Sequence, residues 1–295
     1  MPPGFQDITL AIFTTLAPAG TLAFIMVSIA ILTPFHLDKT DDIQLQENHK
    51  ILAKLDQFLV LPLTVVIVGL VTSATHLGNP ANALYLFRGV GRSPLSTEVF
   101  CGIVFLLLGG IYWLQAFSLK PRPTLRKIWL SVTIVAALAF VVSMMMAYSA
   151  HTILSWNTIY VPASLLTAAL MGASILAMIT LQLGGYLSYR RQATLLCCAT
   201  MLLAALATVA LTLLQAFELS FFRTALLDGA NMALWLYAAI VVFALCAAAA
   251  GVFIFAALRK AKTSILHIAI GCIFVFVGIF ALRIAFYSIH MTVGL

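Results

Sequence analysis

The sequence of 295 residues contains little charge, because Asp, Glu, Lys and Arg together make up only 8% of it. A water-soluble domain has about 25% charged residues. Apolar residues account for 63% of the sequence, and its mean hydropathy is +1.11. This shortage of charge excludes an ordinary water-soluble domain and indicates a protein that lies in a membrane.

Cysteine is also scarce, and no two cysteines form a Cys-x-x-Cys pair. All five lie inside long apolar runs: Cys101, Cys197, Cys198, Cys246 and Cys272. This pattern argues against a disulfide framework, a zinc site and an iron–sulfur cluster. We therefore predict that the cysteines are small, buried, apolar residues.

Eight apolar runs are long enough for membrane-spanning helices, which need roughly 20 residues each. Lipid cannot satisfy backbone polar groups, and the runs lack the alternation of barrel strands, so they predict helices. The predicted helices cover about residues 8–32, 57–77, 94–118, 128–149, 160–186, 193–217, 230–258 and 264–289. No basic segment precedes the first run, so we expect it to be retained rather than cleaved as a signal peptide. The sequence predicts an all-α, polytopic membrane protein with a single membrane domain over residues 1–295.

The net charge of +7 comes from residues in the predicted loops, so it describes topology rather than nucleic-acid binding. Twelve Lys and Arg residues fall in the odd-numbered loops, and only three fall in the even-numbered loops. The sixteenth, Arg283, lies within the last predicted helix. The positive-inside rule then predicts that the odd-numbered loops are cytoplasmic and that both termini lie outside the cytoplasm.

A histidine and a glutamate border the second predicted loop, where residues 73–98 read SATHLGNPANALYLFRGVGRSPLSTE. Glycine and proline closely follow His76, so the second helix is expected to end there. Ser93 followed by proline is typical of a helix start, which places Glu98 about one turn inside the third helix. Ionisable groups at this depth are costly unless they are paired, hydrated or used in function. For His76, a hydrated helix cap is the structural alternative.

The last predicted helix carries Arg283, Tyr287 and His290 on one face, at spacings i, i+4 and i+7. We expect this face to lie level with His76 and Glu98. An arginine that only extends to water is the structural alternative for Arg283. Three more polar residues fall in the same predicted layer: Glu218, His151 and Trp156. Polar chemistry is therefore predicted on the outer side, whereas the inner side is expected to hold mainly loop cations.

These groups favour a quinol site over a haem or a proton-coupled carrier. A haem b needs axial ligands on facing helices. Five of the six histidines are expected in loops or at helix ends, namely His36, His49, His76, His151 and His290, and His267 has no evident partner. A carrier more often has broken helices and charges near the midplane, which here is nearly free of charge. We therefore predict no haem or metal in this chain, and we keep a carrier and a purely structural anchor as alternatives.

Several separated motifs carry a resemblance to a known family. The segments HLGNP, SPLSTE, WNTIYVP, LQAFELS and RIAFYSIHMTVGL occur in this order along the sequence. Together they resemble the DmsC family, the membrane-anchor subunit of dimethyl sulfoxide reductase, over essentially the whole chain. The resemblance implies an eight-helix anchor of two four-helix bundles in the bacterial inner membrane, with both termini periplasmic. It also implies anaerobic respiration, with a molybdopterin catalytic subunit and a subunit carrying 4Fe–4S clusters as partners.

The resemblance further implies that the anchor binds menaquinol near the periplasmic face and passes its electrons to the nearest cluster. The family's quinol-site histidine corresponds to His76 in HLGNP, and its glutamate corresponds to Glu98 in LSTE. In this reading His76 accepts a proton or a hydrogen bond from the quinol, and Glu98 orients the quinol and relays protons outward. Arg283 and Tyr287 would close the site or contact the partner.

One position departs from the family pattern in the first predicted helix. A glutamine that is common after the Phe-Thr pair is replaced by Pro18 in FTTLAP. Thr14 and Thr15 are then the polar residues that remain on this helix for a quinol contact. We include Thr15 among the expected binding residues.

Overall fold

A computed structural model describes residues 7–33, 42–75, 80–118, 123–149, 152–223, 228–259 and 264–290. Eight of its helices are long and apolar enough to cross a membrane. Apart from an isolated β-bridge between Arg223 and Asp228, no strand is present in these ranges. The prediction of an all-α protein with eight membrane-spanning helices is therefore confirmed.

The helices follow one another with short connections. They are α1 Ile8–Leu32, α2 Asp42–Phe58, α3 Val60–Ala74, α4 Pro94–Gln115, α5 Pro123–Ala147, α6 Tyr160–Leu183, α7 Tyr186–Tyr189, α8 Arg191–Leu219, α9 Gly229–Leu258 and α10 Ile265–Ser288. A 3-10 helix, Pro80–Gly89, precedes α4. The Ser93 side chain accepts a hydrogen bond from the Ser96 amide, and a proline follows it directly, so α4 begins where the sequence predicts.

Two helices begin before the apolar runs predicted as membrane spans. The second predicted span starts near residue 57, within α2 Asp42–Phe58, and α3 continues it to Ala74. Lys50 and Lys54 therefore lie on a helix and not in a loop. The fourth span begins at Pro123, five residues before the predicted start, so Arg126 is also helical. In both helices polar turns precede the apolar run, and a hydropathy profile does not detect these turns as part of the helix.

Two helices occupy the interior of the molecule. Most residues of α1 and α6 are buried, whereas fewer than half are buried in each of the other spanning helices. Helices α1, α3, α4 and α5 contact one another in a ring, as do α6, α8, α9 and α10, and α1 packs on α6 and α10 between the two sets. The division into two four-helix bundles stays a prediction with which these contacts agree.

Because successive spans alternate in direction, the molecule has two ends. The Glu98 end holds the starts of α1, α4, α6 and α9 and the ends of α3, α5, α8 and α10. The Asp56 end is the opposite one. Between them lies an aromatic block of Phe24, Phe105 and Phe140, with ring centroids 5.3 and 6.3 Å apart for successive pairs. All three side chains are fully buried, so this part of the interior is apolar.

A buried ion pair at the Asp56 end contradicts the prediction that this side holds mainly loop cations. Asp56 is 6% exposed, and Arg126 Nη2 donates to its Oδ1 at 2.9 Å and lies 2.8 Å from its Oδ2. The Tyr112 hydroxyl also donates to Asp56 at 2.7 Å and accepts from Arg126 Nε at 3.3 Å. These three side chains connect α2, α4 and α5.

A cavity of about 870 Å³ adjoins this ion pair. Asp56, Tyr112 and Arg126 line part of it, together with His49 and Gln115. The Asp56 carboxylate and the Tyr112 hydroxyl already hydrogen-bond within the cluster, so neither requires a ligand to satisfy it. We therefore interpret the cluster as a structural clamp between helices.

We expect Asp56→Ala to lower the free energy of unfolding by about 1.5–3 kcal/mol, the usual effect of losing hydrogen bonds to a charged group. Thermal unfolding in detergent would measure the change. Lys54→Ala, an exposed position on the same helix, is the matched control. In the double variant Asp56→Ala/Arg126→Ala the two losses should be less than additive, because they remove the same interaction. Additive losses would show that the ion pair does not stabilise the fold.

Candidate functional site

Glu98 lies in the second turn of α4 and is almost completely buried. Its side chain is 1% exposed. Neither carboxylate oxygen has a hydrogen-bond partner among the described residues. A buried carboxylate without a partner is costly, by several kcal/mol after relaxation. The position therefore requires a partner beyond those side chains, which is the strongest sign of a functional site in the molecule.

Arg283 and Tyr287 enter the same end of the molecule from α10. Arg283 is 3% exposed and Tyr287 is 2% exposed. The Arg283 guanidinium carbon lies 5.7 Å from the ring centroid of Phe286. Within the described part of the chain, Arg283 Nε has no hydrogen-bond partner, and the Tyr287 hydroxyl lies close to the hydroxyls of Tyr148 and Thr14. This burial excludes the alternative in which Arg283 simply extends to water.

Tyr148, which follows α5, is a member of this group that sequence reasoning missed. Its ring centroid lies 6.3 Å from that of Tyr287 and 6.4 Å from that of Phe286. Glu98 and Arg283 both interact electrostatically with Tyr148 and with Tyr287. The structure shows no ion pair between Glu98 and Arg283 in the ranges it describes. A buried acid and a buried base thus lie near the same two tyrosines without pairing directly.

Trp156, in the segment between α5 and α6, covers the tyrosines. Its ring stacks on Phe286 with centroids 4.5 Å apart and an interplanar angle of 22°. It also makes an edge contact with Tyr287 at 5.8 Å. The Trp156 Nε1 atom is buried and has no partner among the described side chains and backbone. The sequence predicts Trp156 in the polar layer, and in the structure it contacts Phe286 and Tyr287 at that end of the molecule.

The threonines of α1 are close to the site but hydrogen-bond within their own helix. The Thr14 hydroxyl lies near Tyr287, yet it donates to the Leu10 carbonyl at 2.9 Å. The Thr15 hydroxyl donates to the Ala11 carbonyl at 2.7 Å. Both side chains are buried. A quinol contact from Thr15 therefore stays a prediction, and Thr14 is the nearer of the two to the α10 residues.

The remaining polar residues of the predicted layer have different surroundings. His76 and His151 lie outside the described residues. His290 follows the end of α10 and is exposed, with its ring 5.3 Å from Trp156. Glu218 is half-buried near the end of α8, and its Oε2 atom is buried. His290 and Glu218 lie at the Glu98 end, which agrees with the predicted layer.

Sequence reasoning also missed Gln215, a buried residue on α8. Its Nε2 atom has no partner in the ranges that the structure describes. It lies inside the apolar run of its helix, where the printed sequence gives no sign of special surroundings. Tyr148, in contrast, stands at the end of an apolar run, as aromatic residues at a membrane interface commonly do.

Metal and haem chemistry receives no support from the described residues. They contain no group of three or more His, Cys, Asp or Glu that could hold a metal ion. His49 lies on α2 and not in a loop as expected. His267 Nδ1 is hydrogen-bonded to Ser264 at 2.8 Å. All five cysteines lie on helices and are unpaired.

The cluster at the Glu98 end can accept and donate hydrogen bonds at the same time. An ionised Glu98 only accepts, Arg283 and Trp156 only donate, and the tyrosines do both. Aromatic rings of Trp156 and Phe286 provide apolar surface beside these groups. Such a set suits a flat, apolar ligand that carries oxygen atoms, and it offers a carboxylate to take up a proton.

Comparison with known proteins gives a consistent result over the whole length. The family model described as "DMSO reductase anchor subunit (DmsC)" matches residues 1–289. The C subunit of anaerobic dimethyl sulfoxide reductase from Escherichia coli (strain K12) is 28% identical over 298 residues, covering 100% of this sequence and 99% of that protein. The C subunit of the Haemophilus influenzae reductase is 26% identical over 297 residues, with the same coverage. The YnfH subunit of an Escherichia coli anaerobic dimethyl sulfoxide reductase is 27% identical over 235 residues, covering 77% of this sequence and 79% of that protein.

Proposed function

Because the chain belongs to the family of dimethyl sulfoxide reductase anchor subunits, we propose that it oxidises menaquinol at the Glu98 end of its helix bundle. As an anchor subunit with eight spanning helices, it is a multi-pass membrane protein of anaerobic respiration. The observation that carries the proposal is the buried, unpartnered carboxylate of Glu98 beside Tyr148, Arg283 and Tyr287.

Glu98 and His76 are the proposed proton acceptors. His76 follows Thr75, the last described residue after α3, and Glu98 begins the second turn of α4, which packs against α3. The end of α3 and the start of α4 thus lie at the same end of the molecule, where we propose that both acceptors act. Oxidation of one quinol releases two protons and two electrons. The protons pass through His76 and Glu98 to the water at this end of the molecule, and removal of the proton makes the ring a better electron donor.

The electrons leave through a partner. None of the described residues forms a metal-binding group, and the proposed acceptor is a 4Fe–4S cluster in an iron–sulfur subunit. That subunit passes the electrons to a molybdopterin catalytic subunit, which reduces the terminal acceptor. The family's name, dimethyl sulfoxide reductase anchor subunit, supports this division of labour. This chain therefore supplies the quinol reaction and the attachment to the bacterial inner membrane.

The aromatic block favours an electroneutral cycle over proton pumping. Phe24, Phe105 and Phe140 lie between the Glu98 end and the Asp56 end and have no group that could carry a proton. Protons from the quinol are then released at the Glu98 end, and the cycle is electroneutral if the catalytic subunit consumes protons on the same side. The same block counts against a proton-coupled carrier. A structural anchor without a quinol site is opposed by Glu98, whose buried carboxylate has no partner among the described residues, unlike the paired Asp56.

Co-purification and turnover test the proposal together. The complex isolated through a tag on this chain should contain iron–sulfur and molybdenum subunits, and it should couple oxidation of menadiol, a tail-free quinol, to reduction of dimethyl sulfoxide or a related oxide. Isolation of this chain without such partners would contradict the assembly. If the complete complex oxidised no quinol, this chain would be a structural anchor without a quinol site.

The proposed orientation places both termini and the Glu98 end in the periplasm. Cysteines introduced at Asn82 and at Lys127, an exposed position beside Arg126, should react oppositely with a membrane-impermeant thiol reagent in intact cells, with position 82 labelled and position 127 protected until lysis. The charge asymmetry of the loops is the physical reason. Labelling of Asn82 only after lysis would reverse the orientation and move the quinol site to the cytoplasmic face.

A further inference from the structure

Two hydrogen-bond donors at the Glu98 end, Trp156 Nε1 and Arg283 Nε, are buried and have no partner among the described residues. The buried Tyr287 hydroxyl is a third donor at this end, and it lies near the hydroxyls of Tyr148 and Thr14. We call Trp156, Arg283 and Tyr287 the donor cluster. A buried N–H group normally finds an acceptor, because leaving the hydrogen bond unmade costs about 1–3 kcal/mol. Two such groups in one place indicate an acceptor beyond the described residues.

The other tryptophans show that Trp156 is exceptional. Trp113 Nε1 donates to the Gln57 carbonyl at 2.8 Å, and Trp129 Nε1 donates to the Leu108 carbonyl at 2.9 Å. Trp235 is 48% exposed on the surface of α9. Trp156 is therefore the tryptophan of this chain whose N–H is both buried and unpartnered in the described structure.

The members of the donor cluster surround a single aromatic side chain. Trp156 stacks on Phe286 at 4.5 Å, and the Arg283 guanidinium carbon lies 5.7 Å from the same ring. Tyr287 contacts Trp156 at 5.8 Å. The three donors thus lie on one side of the site, on α10 and the segment before α6. Glu98, which accepts hydrogen bonds, enters from α4.

We propose that the donor cluster binds the ring oxygen of the quinone that is remote from Glu98, and that Trp156 fixes the orientation of the ring. This inference rests on the proposed quinol oxidation. It explains why Glu98 and Arg283 do not pair, since each faces one oxygen of the same ring. Two oxygens at opposite edges of a ring match an acceptor on one side of a site and donors on the other.

Oxidation changes the hydrogen-bonding character of the ligand, and the site matches the oxidised form. A quinol carries two hydroxyls, whereas the quinone carries two carbonyl oxygens that only accept. Glu98, once it has taken a proton, can donate to the near carbonyl, and the donor cluster serves the far one. The proton from the far hydroxyl moves to Tyr287 and, through Tyr148, to Glu98 after the first proton has left. Both electrons go to the iron–sulfur partner.

Trp156→Phe in the purified complex tests the inference. Phenylalanine keeps an aromatic ring but removes the N–H. We expect equilibrium dialysis to show menadione, the tail-free quinone, binding about fivefold more weakly, which is the effect of one ordinary hydrogen bond. The KM for menadiol should rise by less, and kcat should stay within about twofold because the proton acceptors are intact. Trp235→Phe, at the same end but on the outer surface, is the matched control and should change nothing.

Arg283→Lys provides a second variant in case neighbouring side chains repack in Trp156→Phe and compensate for the missing indole N–H. Lysine keeps the positive charge and loses the Nε donor, so menadione binding should weaken while assembly persists. Wild-type binding in both variants, with quinol turnover present, would overturn the donor cluster and leave the proposed function standing. Absence of menadione binding and menadiol oxidation in the wild-type complex would instead overturn the proposed function.

Discussion

Glu98→Gln should reduce quinol-driven turnover of the complex by about 100-fold or more, the usual loss when a positioned acid–base group is removed. Glutamine preserves the shape of the side chain but cannot take up a proton. The carboxylate is buried at the Glu98 end with neither oxygen hydrogen-bonded in the described structure, so the substitution breaks no described contact. The rate of menadiol oxidation by the assembled complex measures the effect.

His76→Ala should give a comparable loss. Reduction of the terminal acceptor by an artificial soluble electron donor should persist in both variants, because that route bypasses the membrane. Glu218→Gln, a half-buried carboxylate at the same end, is the control and should turn over quinol at the wild-type rate. Full activity in Glu98→Gln together with lost activity in Glu98→Ala would make the glutamate a hydrogen-bonding support and not a proton acceptor.

Normal turnover in all variants of Glu98 and His76 would place quinol oxidation elsewhere in the molecule. The Arg283 and Tyr287 side chains would then be the next candidates, because they are buried at the same end and Arg283 Nε has no partner among the described residues. Such a result would separate the family's general role as an anchor from the specific reaction proposed for this chain.

Several features of the fold follow from the sequence because their physical cause is local. The eight spans are uninterrupted apolar runs, and lipid leaves helices as their stable form. Ser93 and the proline after it start α4 through a side-chain cap that any sequence reader can identify. The i, i+4 spacing of Arg283 and Tyr287 likewise places both on one face of the last helix, and both side chains are buried in the structure.

Other features depend on contacts between distant parts of the chain. The pairing of Asp56 with Arg126 joins residues 70 positions apart, and neither position is distinctive in sequence. Tyr148, at the end of α5, contacts Tyr287 on α10. The residue pattern of either helix alone does not reveal this contact. The extended start of the second helix also escapes hydropathy, because its polar residues lower the mean hydropathy of these turns even where a side chain such as Asp56 is buried.

The packing of α1 against α3 helps to position the side chains at the Glu98 end. A Cβ atom on Gly20 would lie 2.8 Å from Val66 Cγ2 and 2.9 Å from the Pro62 carbonyl oxygen. A Cβ atom on Gly69 of α3 would likewise lie 3.0 Å from the Ala17 backbone nitrogen. Small residues at such crossings let two membrane helices approach closely. This contact sets α1 between α3 and α6, with Thr14 near Tyr287.

Gly20→Val should therefore destabilise the chain by about 3 kcal/mol, at the upper end of what overpacking usually costs, since a backbone carbonyl cannot move aside as flexible side-chain atoms can. We expect less assembled complex in the membrane and a lower thermal unfolding temperature in detergent. Gly251→Val is the matched control, because a Cβ atom there meets nothing within 4 Å. Quinol oxidation per assembled complex should be retained in the control and lost with assembly in Gly20→Val. A Gly20→Val complex with wild-type abundance, unfolding temperature and turnover would show that α1 and α3 can separate without consequence, and that the site at the Glu98 end does not depend on their contact.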